Sequence, residues 1–318
     1  MLPFTFSEDD IKLLMAIQYR LPLCEQPLLE LSQQEELNEK FVLRRVKEFK
    51  KEGIIKRYGA NLNYRAFSSE HRAALVGARV EEGRIAEVAR MINAANPKHN
   101  YWRDHEYSVW FTIKAKSKED LLSKITKLME KCRIEDYIVL PTKRIYKMDV
   151  KYDLVKGVSW SEKGLEKFDV PKVEELGLEA SMLRKLENLE VCERPFSKFA
   201  ENGYTEGEIV DLIAELIKKG VVRDFSGVLK ERKIGFAENG MILMKTDNPE
   251  KLAFRLIKEL PQITHLIERE VPKQWPYPLY FMVHATRREP IEEIKKKLEN
   301  EGIEARVLYS KADLKESD

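Results

Sequence analysis

The apolar positions of this chain follow two spacings in turn, one that fits helices and one that fits strands. Near the start, Ile11, Leu14 and Met15 fall on one face of a helix that Ser7 can cap. A second short helix follows Pro27, which suits a first helical turn because it has no amide hydrogen to lose. A third begins near Asn38, carries Val42, Val46 and Phe49 at helical spacing, and stops at Gly53. Residues 54–62 then read as a strand, so the opening segment has the order of a winged helix-turn-helix.

From residue 73 the pattern becomes strand 73–80, helix 84–95, strands 98–103 and 107–115, helix 117–131 and strand 134–146. Ile85, Val88, Ala89 and Ile92 line one face of the first of these helices, and Leu121, Ile125 and Leu128 one face of the second. Both faces can cover one side of an antiparallel sheet, in the split βαββαβ order of ferredoxin-like domains. The whole plan then returns. Leu23-Cys24-Glu25-Gln26-Pro27 recurs as Val191-Cys192-Glu193-Arg194-Pro195, and Gly53-Ile54-Ile55-Lys56 as Gly220-Val221-Val222-Arg223. His99 with Arg103 recurs as His265 with Arg269, and Tyr107 with Phe111 as Tyr277 with Phe281. Strands of the second copy are expected at 241–246, 263–270, 277–285 and 303–309, with helices after Pro249 and Pro290.

The expected fold is therefore α+β, a tandem repeat of a winged helix-turn-helix plus a ferredoxin-like βαββαβ domain. Its parts are helix-turn-helix 1–66, ferredoxin-like domain 67–154, a linker at 155–171 where Gly, Ser and Pro interrupt the apolar pattern, helix-turn-helix 172–236 and ferredoxin-like domain 237–318.

Composition narrows the partners. The 318 residues include 56 Lys and Arg against 54 Asp and Glu, a net charge of +2 that describes a solvated globular surface. No stretch approaches the roughly 18 apolar residues of a membrane span, and the start lacks the basic and apolar regions of a secretory signal. A cytoplasmic location with no membrane partner is expected. Three cysteines without a CxxC pair argue against a disulfide framework or a cysteine zinc site, and Cys24 and Cys192 read as packing residues. The two third helices differ in charge: 38–52 carries Lys40, Arg44, Arg45, Lys47, Lys50 and Lys51, whereas 205–219 carries Glu206, Glu208, Asp211 and Glu215 against Lys218 and Lys219. A two-fold DNA reader needs two equivalent recognition helices, so DNA is not expected as a partner.

Chemistry concentrates in two hairpins. They hold four of the five histidines, while His71 stands apart in a polar loop. The first reads His99-Asn100-Tyr101-Trp102-Arg103-Asp104-His105-Glu106-Tyr107-Ser108-Val109-Trp110-Phe111-Thr112. Strand alternation puts His99, Tyr101 and Arg103 on one face and Asn100 and Trp102 on the other. An imidazole, a phenol and a guanidinium between aromatic neighbours suit a large, flat, polyanionic ligand. The second hairpin offers His265, Arg269, Trp275, Pro276, Tyr277, Tyr280 and His284.

The order of elements in each half resembles the Lrp/AsnC transcription regulators. More specifically, His-Asn-Tyr-x-Arg-x-His-x-Tyr-x-x-Trp-Phe-Thr at 99–112 is similar to the hairpin of siroheme decarboxylases, and Trp275-Pro276-Tyr277 through Tyr280-Phe281-Met282-Val283-His284 to that of their partner subunit. Tyr58-Gly59 and Leu140-Pro141-Thr142-Lys143 fit the same pattern, while Leu266, Ile267 and Pro278 depart from it and point to a site built mainly from the first copy. The resemblance implies a carboxy-lyase, made as an intramolecular pseudo-heterodimer with room for further oligomerisation. Such an enzyme removes two acetate carboxylates of siroheme as CO2, and the didecarboxysiroheme formed feeds heme or nitrite-reductase heme biosynthesis.

On this reading siroheme and related iron tetrapyrroles are the partners, and no cofactor is needed beyond the iron-containing substrate. His99, His105, Tyr101 and Arg103 are the expected catalytic residues, with one of the two histidines as acid and the other available to the substrate iron. Asn100, Tyr107, Trp110, Arg57, Lys143, His265, Arg269, Trp275, Tyr277 and His284 are the expected substrate-binding residues. The protein alone supplies no metal site. The alternative is a ligand-responsive regulator of the Lrp/AsnC type.

Overall fold

The computed structural model describes residues 6–67 and 72–315; His71 lies outside them. In chain order the elements of the first copy are α1 (Glu8–Tyr19), α2 (Pro27–Gln34), α3 (Glu39–Lys51), β1 (Ile55–Leu62), β2 (Arg72–Ala78), α4 (Ile85–Asn93), β3 (Asn100–Arg103), β4 (Val109–Ala115), α5 (Lys118–Cys132) and β5 (Tyr137–Met148). Two short strands follow, β6 (Tyr152–Asp153) and β7 (Val158–Ser159). The second copy supplies α6 (Ala180–Leu186), α7 (Glu206–Lys219), β8 (Val222–Leu229), β9 (Glu238–Met244), α8 (Pro249–Glu259), β10 (His265–Arg269), β11 (Leu279–Ala285), α9 (Glu289–Asn300) and β12 (Ala305–Asp313).

The chain forms two compact units that cut across the order of the sequence. One contains residues 6–67, 150–158 and 167–237, the other residues 72–149, 159–166 and 238–315. Each unit thus takes equivalent pieces from both copies. The stretch 155–171, expected as a plain linker, is divided between them because its side chains are held on either side. Val170 is buried in the core of the first unit, whereas the Ser161 carbonyl accepts from buried Lys147 in the second at 2.7 Å.

In the first unit Ser7, Asn38 and Thr205 cap α1, α3 and α7 through their side-chain oxygens, satisfying amides that have no partner within the helix. Each copy contributes one strand to its wing, and the two strands, β1 and β8, pair antiparallel with Tyr58 opposite Gly227. Leu13, Leu14, Val42, Val46, Phe49, Ile209 and Ile213 close the core around them. Gly59 lies at φ +147°, where a side chain would run into the Leu186 carbonyl, so glycine is required there.

The second unit is a closed ring of eight strands. Each copy makes a four-stranded antiparallel sheet, in the order β5-β2-β4-β3 and β10-β11-β9-β12. The sheets join at both edges, β3 to β12 and β5 to β10, which leaves no open edge in the ring. The alternation of strand side chains then divides the residues into two sets. Ala74, Val76, Val109, Phe111 and Ile113 face α4 and α5 on the outside, and Leu75, Trp110, Leu140, Met241, Leu243, Ile267, Trp275, Tyr280 and Leu308 cluster inside.

Candidate active site inside the strand ring

The ring brings most of the residues singled out from the sequence to its interior. β3 is the clearest case. Trp102 packs with the outer core, and Asn100 is fully buried against α4, donating to Asn93 Oδ1 at 3.0 Å. Arg103, two residues from Tyr101, turns the other way. The residue is 3% exposed, and its guanidinium donates to the Leu308 carbonyl at 2.8 Å and to Asn239 Oδ1 at 3.2 Å and lies 5.2 Å from the Tyr101 ring centroid. Arg269 in β10 is its counterpart from the other copy. It is 5% exposed, donates to the Tyr280 hydroxyl at 2.7 Å, and reaches the Thr142 hydroxyl and the Leu140 carbonyl. Its Nε is buried with no acceptor.

Among the described residues no carboxylate pairs with Arg103 or Arg269. Burial alone pushes Arg103 down to about 10, so it remains charged at neutral pH. The acid beside Arg269 in the same strand, Glu268, points to the outer face, where Lys143 and Tyr146 hold it at 2.6 and 2.7 Å. Two buried guanidinium groups with only neutral acceptors are costly unless a ligand supplies the negative charge.

An aromatic wall adjoins them. Trp275 is 4% exposed and sits 5.5 Å from Trp110, 5.6 Å from His105, 5.5 Å from Tyr277 and 6.2 Å from Tyr107, centroid to centroid. Trp110 can lie flat across β2 because its neighbour there is Gly77, where a Cβ would stand 2.9 Å from the indole ring. Its Nε1 donates to the Tyr107 carbonyl at 2.6 Å. The Tyr107 amide in turn donates to His105 Nδ1 at 3.0 Å. A backbone amide only donates, so the neutral His105 ring carries its hydrogen on Nε2, which is buried with no acceptor of its own. Burial first and then Arg306 push this histidine below its ordinary value.

The other three described histidines stand elsewhere in the ring. His99 is half-buried, with its ring stacked on Tyr101 at 6.0 Å. His265 is half-buried with Nδ1 2.9 Å from the Thr264 hydroxyl, and His284 is buried with Nδ1 3.4 Å from Asn239 Nδ2.

Three expectations require correction. Asn100 faces α4 rather than the interior, as strand alternation dictates. Lys143 lies on the outer face with Glu268, because the pairing of β5 with β10 shifts register between Glu268 and Arg269. Arg57 lies in the first unit, ion-paired with Glu187. Sequence reasoning also missed Asn239, since Glu-Asn-Gly reads as a turn and the strand was expected to begin at Met241. Thr142 was noted without a role, and Arg306 carried no signal beyond its alternation with Leu308.

Comparison with known proteins follows the same lines. An AsnC-like ligand binding domain matches residues 71–147 and 233–315, and a siroheme decarboxylase NirDL-like HTH domain matches residues 10–56. The siroheme decarboxylase of Hydrogenobacter thermophilus is 26% identical over 312 residues, which cover 96% of this chain and 92% of that protein. The siroheme decarboxylase alpha subunit of Oleidesulfovibrio alaskensis is 33% identical over 149 residues, 46% of this chain and 89% of that subunit. The crystal structure of the siroheme decarboxylase NirDL shares the fold, with a TM-score of 0.64 at 23% identity over 96% of this chain and 91% of that one. By these matches, and by the paired hairpins that line its strand ring, the chain belongs to the siroheme decarboxylase family.

Proposed function

We propose that this protein binds siroheme inside the strand ring and removes two of its acetate carboxylates as CO2, leaving methyl groups. The observation that carries this reading is the pair of buried, uncompensated arginines beside an aromatic wall: a flat polycarboxylate supplies both the missing negative charge and a face for the rings. Tyr101, Tyr107, Trp110, Trp275 and Tyr277 cover the macrocycle, and Arg103 and Arg269 hold carboxylates.

The chemistry breaks the bond between the methylene carbon and the carboxyl carbon. The electron pair passes into the conjugated macrocycle, CO2 leaves, and a proton must reach the methylene carbon to complete the methyl group. His105 supplies that proton. Its Nδ1 is engaged and its Nε2 bears hydrogen, so it offers a donor and no lone pair for iron, and of the two first-hairpin histidines we assign the substrate iron to His99. The negative charge of a polyanionic substrate offsets that of Arg306, so proton uptake accompanies binding, and the proton taken up on Nδ1 releases the Tyr107 amide from that nitrogen. A dry interior strengthens these interactions and favours loss of the charged carboxylate. No further cofactor enters these steps. An arginine on a departing carboxylate must hold it loosely, since tight ground-state binding slows the reaction.

The regulator reading loses ground in the first unit. The α3 arginines that would meet phosphates are engaged, Arg45 with Asp10 at 2.7 Å and with Glu48 at 2.6 Å, and Arg44 with Glu48 at 3.0 Å. The test of the proposal is an absorbance titration with siroheme and with an iron porphyrin that has no carboxylates. Siroheme binds the parent protein and binds Arg269→Met at least tenfold more weakly, whereas the uncharged porphyrin does not distinguish the two. Equal affinities for siroheme would contradict the assignment.

A further inference from the structure

Asn239 stands where it decides what Arg103 can bind. It lies in β9 directly opposite His284 of β11 and is 8% exposed. Its Oδ1 accepts from Arg103 Nη2 at 3.2 Å, while its Nδ2 faces His284 Nδ1 at 3.4 Å. An aspartate has nearly the same shape and would form a far stronger, charge-assisted pair with a buried guanidinium. Folding alone would therefore favour Asp at this position, because Asn leaves a buried charge unbalanced.

We propose that Asn239 is a positioning residue that orients Arg103 by a neutral contact and thereby reserves its charge for a substrate carboxylate. The inference rests on the reading of the ring interior as a polycarboxylate site. Arg269 follows the same rule in the other copy, for its acceptors are the Leu140 carbonyl and the hydroxyls of Thr142 and Tyr280. With a carboxylate at 239, substrate would have to displace an internal anion from Arg103. With no acceptor there, the guanidinium would lose its direction. The amide satisfies geometry without satisfying charge.

The experiment compares Asn239→Asp, Asn239→Ala and the parent protein by thermal denaturation without ligand and by absorbance titration with siroheme. The Asp variant is expected to melt at or above the parent yet to bind siroheme at least tenfold more weakly, and the Ala variant to melt below it. An Asp variant that binds as tightly as the parent overturns the proposal. So does one whose melting temperature falls together with its affinity, since that marks a merely structural residue. If the parent protein itself fails to bind siroheme, the functional reading has failed, and benzenehexacarboxylate becomes the probe. It is expected to raise the melting temperature of the parent and not of the Asp variant; equal shifts, zero included, overturn the proposal.

Discussion

Arg103 is charged and buried, no carboxylate among the described residues pairs with it, and its presence opposes folding. The sign follows from its depressed proton affinity. Below about 10 the group is charged in both folded and unfolded chains, so the full penalty of burying the charge applies there and is relieved only as the pH rises through that value. Arg103→Met is therefore predicted to raise the melting temperature of the ligand-free protein, in line with gains of about 1–4 kcal/mol when buried ionic groups give way to apolar ones. The same variant loses siroheme binding. Thermal denaturation beside an absorbance titration checks both signs, and a variant that is less stable would refute the account of Arg103 as an unbalanced charge.

His105 gives a second residue-scale prediction. As proton donor it must be protonated, and burial, Arg306 and Arg79 hold it down while Glu106 lifts it. Activity governed by the free enzyme, kcat/KM, should fall as the pH rises through a value below the ordinary 6.5. The corresponding limb in kcat should lie higher, because bound carboxylates lift the histidine. His105→Gln should remove the limb and lower kcat by about a hundredfold or more. A kcat limb unchanged in His105→Gln would assign the proton to another group.

Among the elements, β2 and the hairpin of β3 and β4 act together. Gly77 makes space for Trp110, Trp110 holds the Tyr107 carbonyl, and the Tyr107 amide sets the His105 tautomer. Gly77→Ala adds one methyl against the face of the indole and should cost about 1–3 kcal/mol as an overpacking change. It should also shift the near-ultraviolet circular dichroism of the tryptophans and lower activity; a variant with an unaltered spectrum would show that the indole does not depend on this contact. This scale is also where the sequence was most and least legible. Apolar periods, and the cap at Ser7, marked the helices because those signals are local; Asn38, Ser117 and Thr205, where three further helices were expected to begin, cap them in the same way. Alternation placed Tyr101 and Arg103 opposite Trp102, and for Asn100 it outweighed membership of the hairpin motif. Lys143 and Asn239 were beyond such reasoning, since a register shift between strands and an asparagine that reads as a turn are fixed only by pairing across the ring.

At the scale of the whole molecule, duplication explains both the length of the chain and the asymmetry of its site. The copies pair within each unit, β1 with β8 in one and β3 with β12 and β5 with β10 in the other. A pairing that two separate subunits would make across an interface is thus built into one polypeptide. Covalent linkage frees the halves to diverge, and they have done so. The first copy supplies Gly77 beside Trp110, whereas at matching ladder positions the second has Leu243 beside Tyr280. Charge diverges likewise, with a basic α3 and an acidic α7 inside a net charge of +2. Among the described residues no helix is long and apolar enough to cross a membrane.

The central claim is turnover, and mass is its most direct reporter. Purified protein incubated with siroheme under anaerobic conditions, followed by mass spectrometry of the extracted pigment, should yield a tetrapyrrole lighter by two carbon dioxide units, with a singly decarboxylated species appearing first. Pigment that stays bound at its original mass would make the ring a carrier and contradict the account.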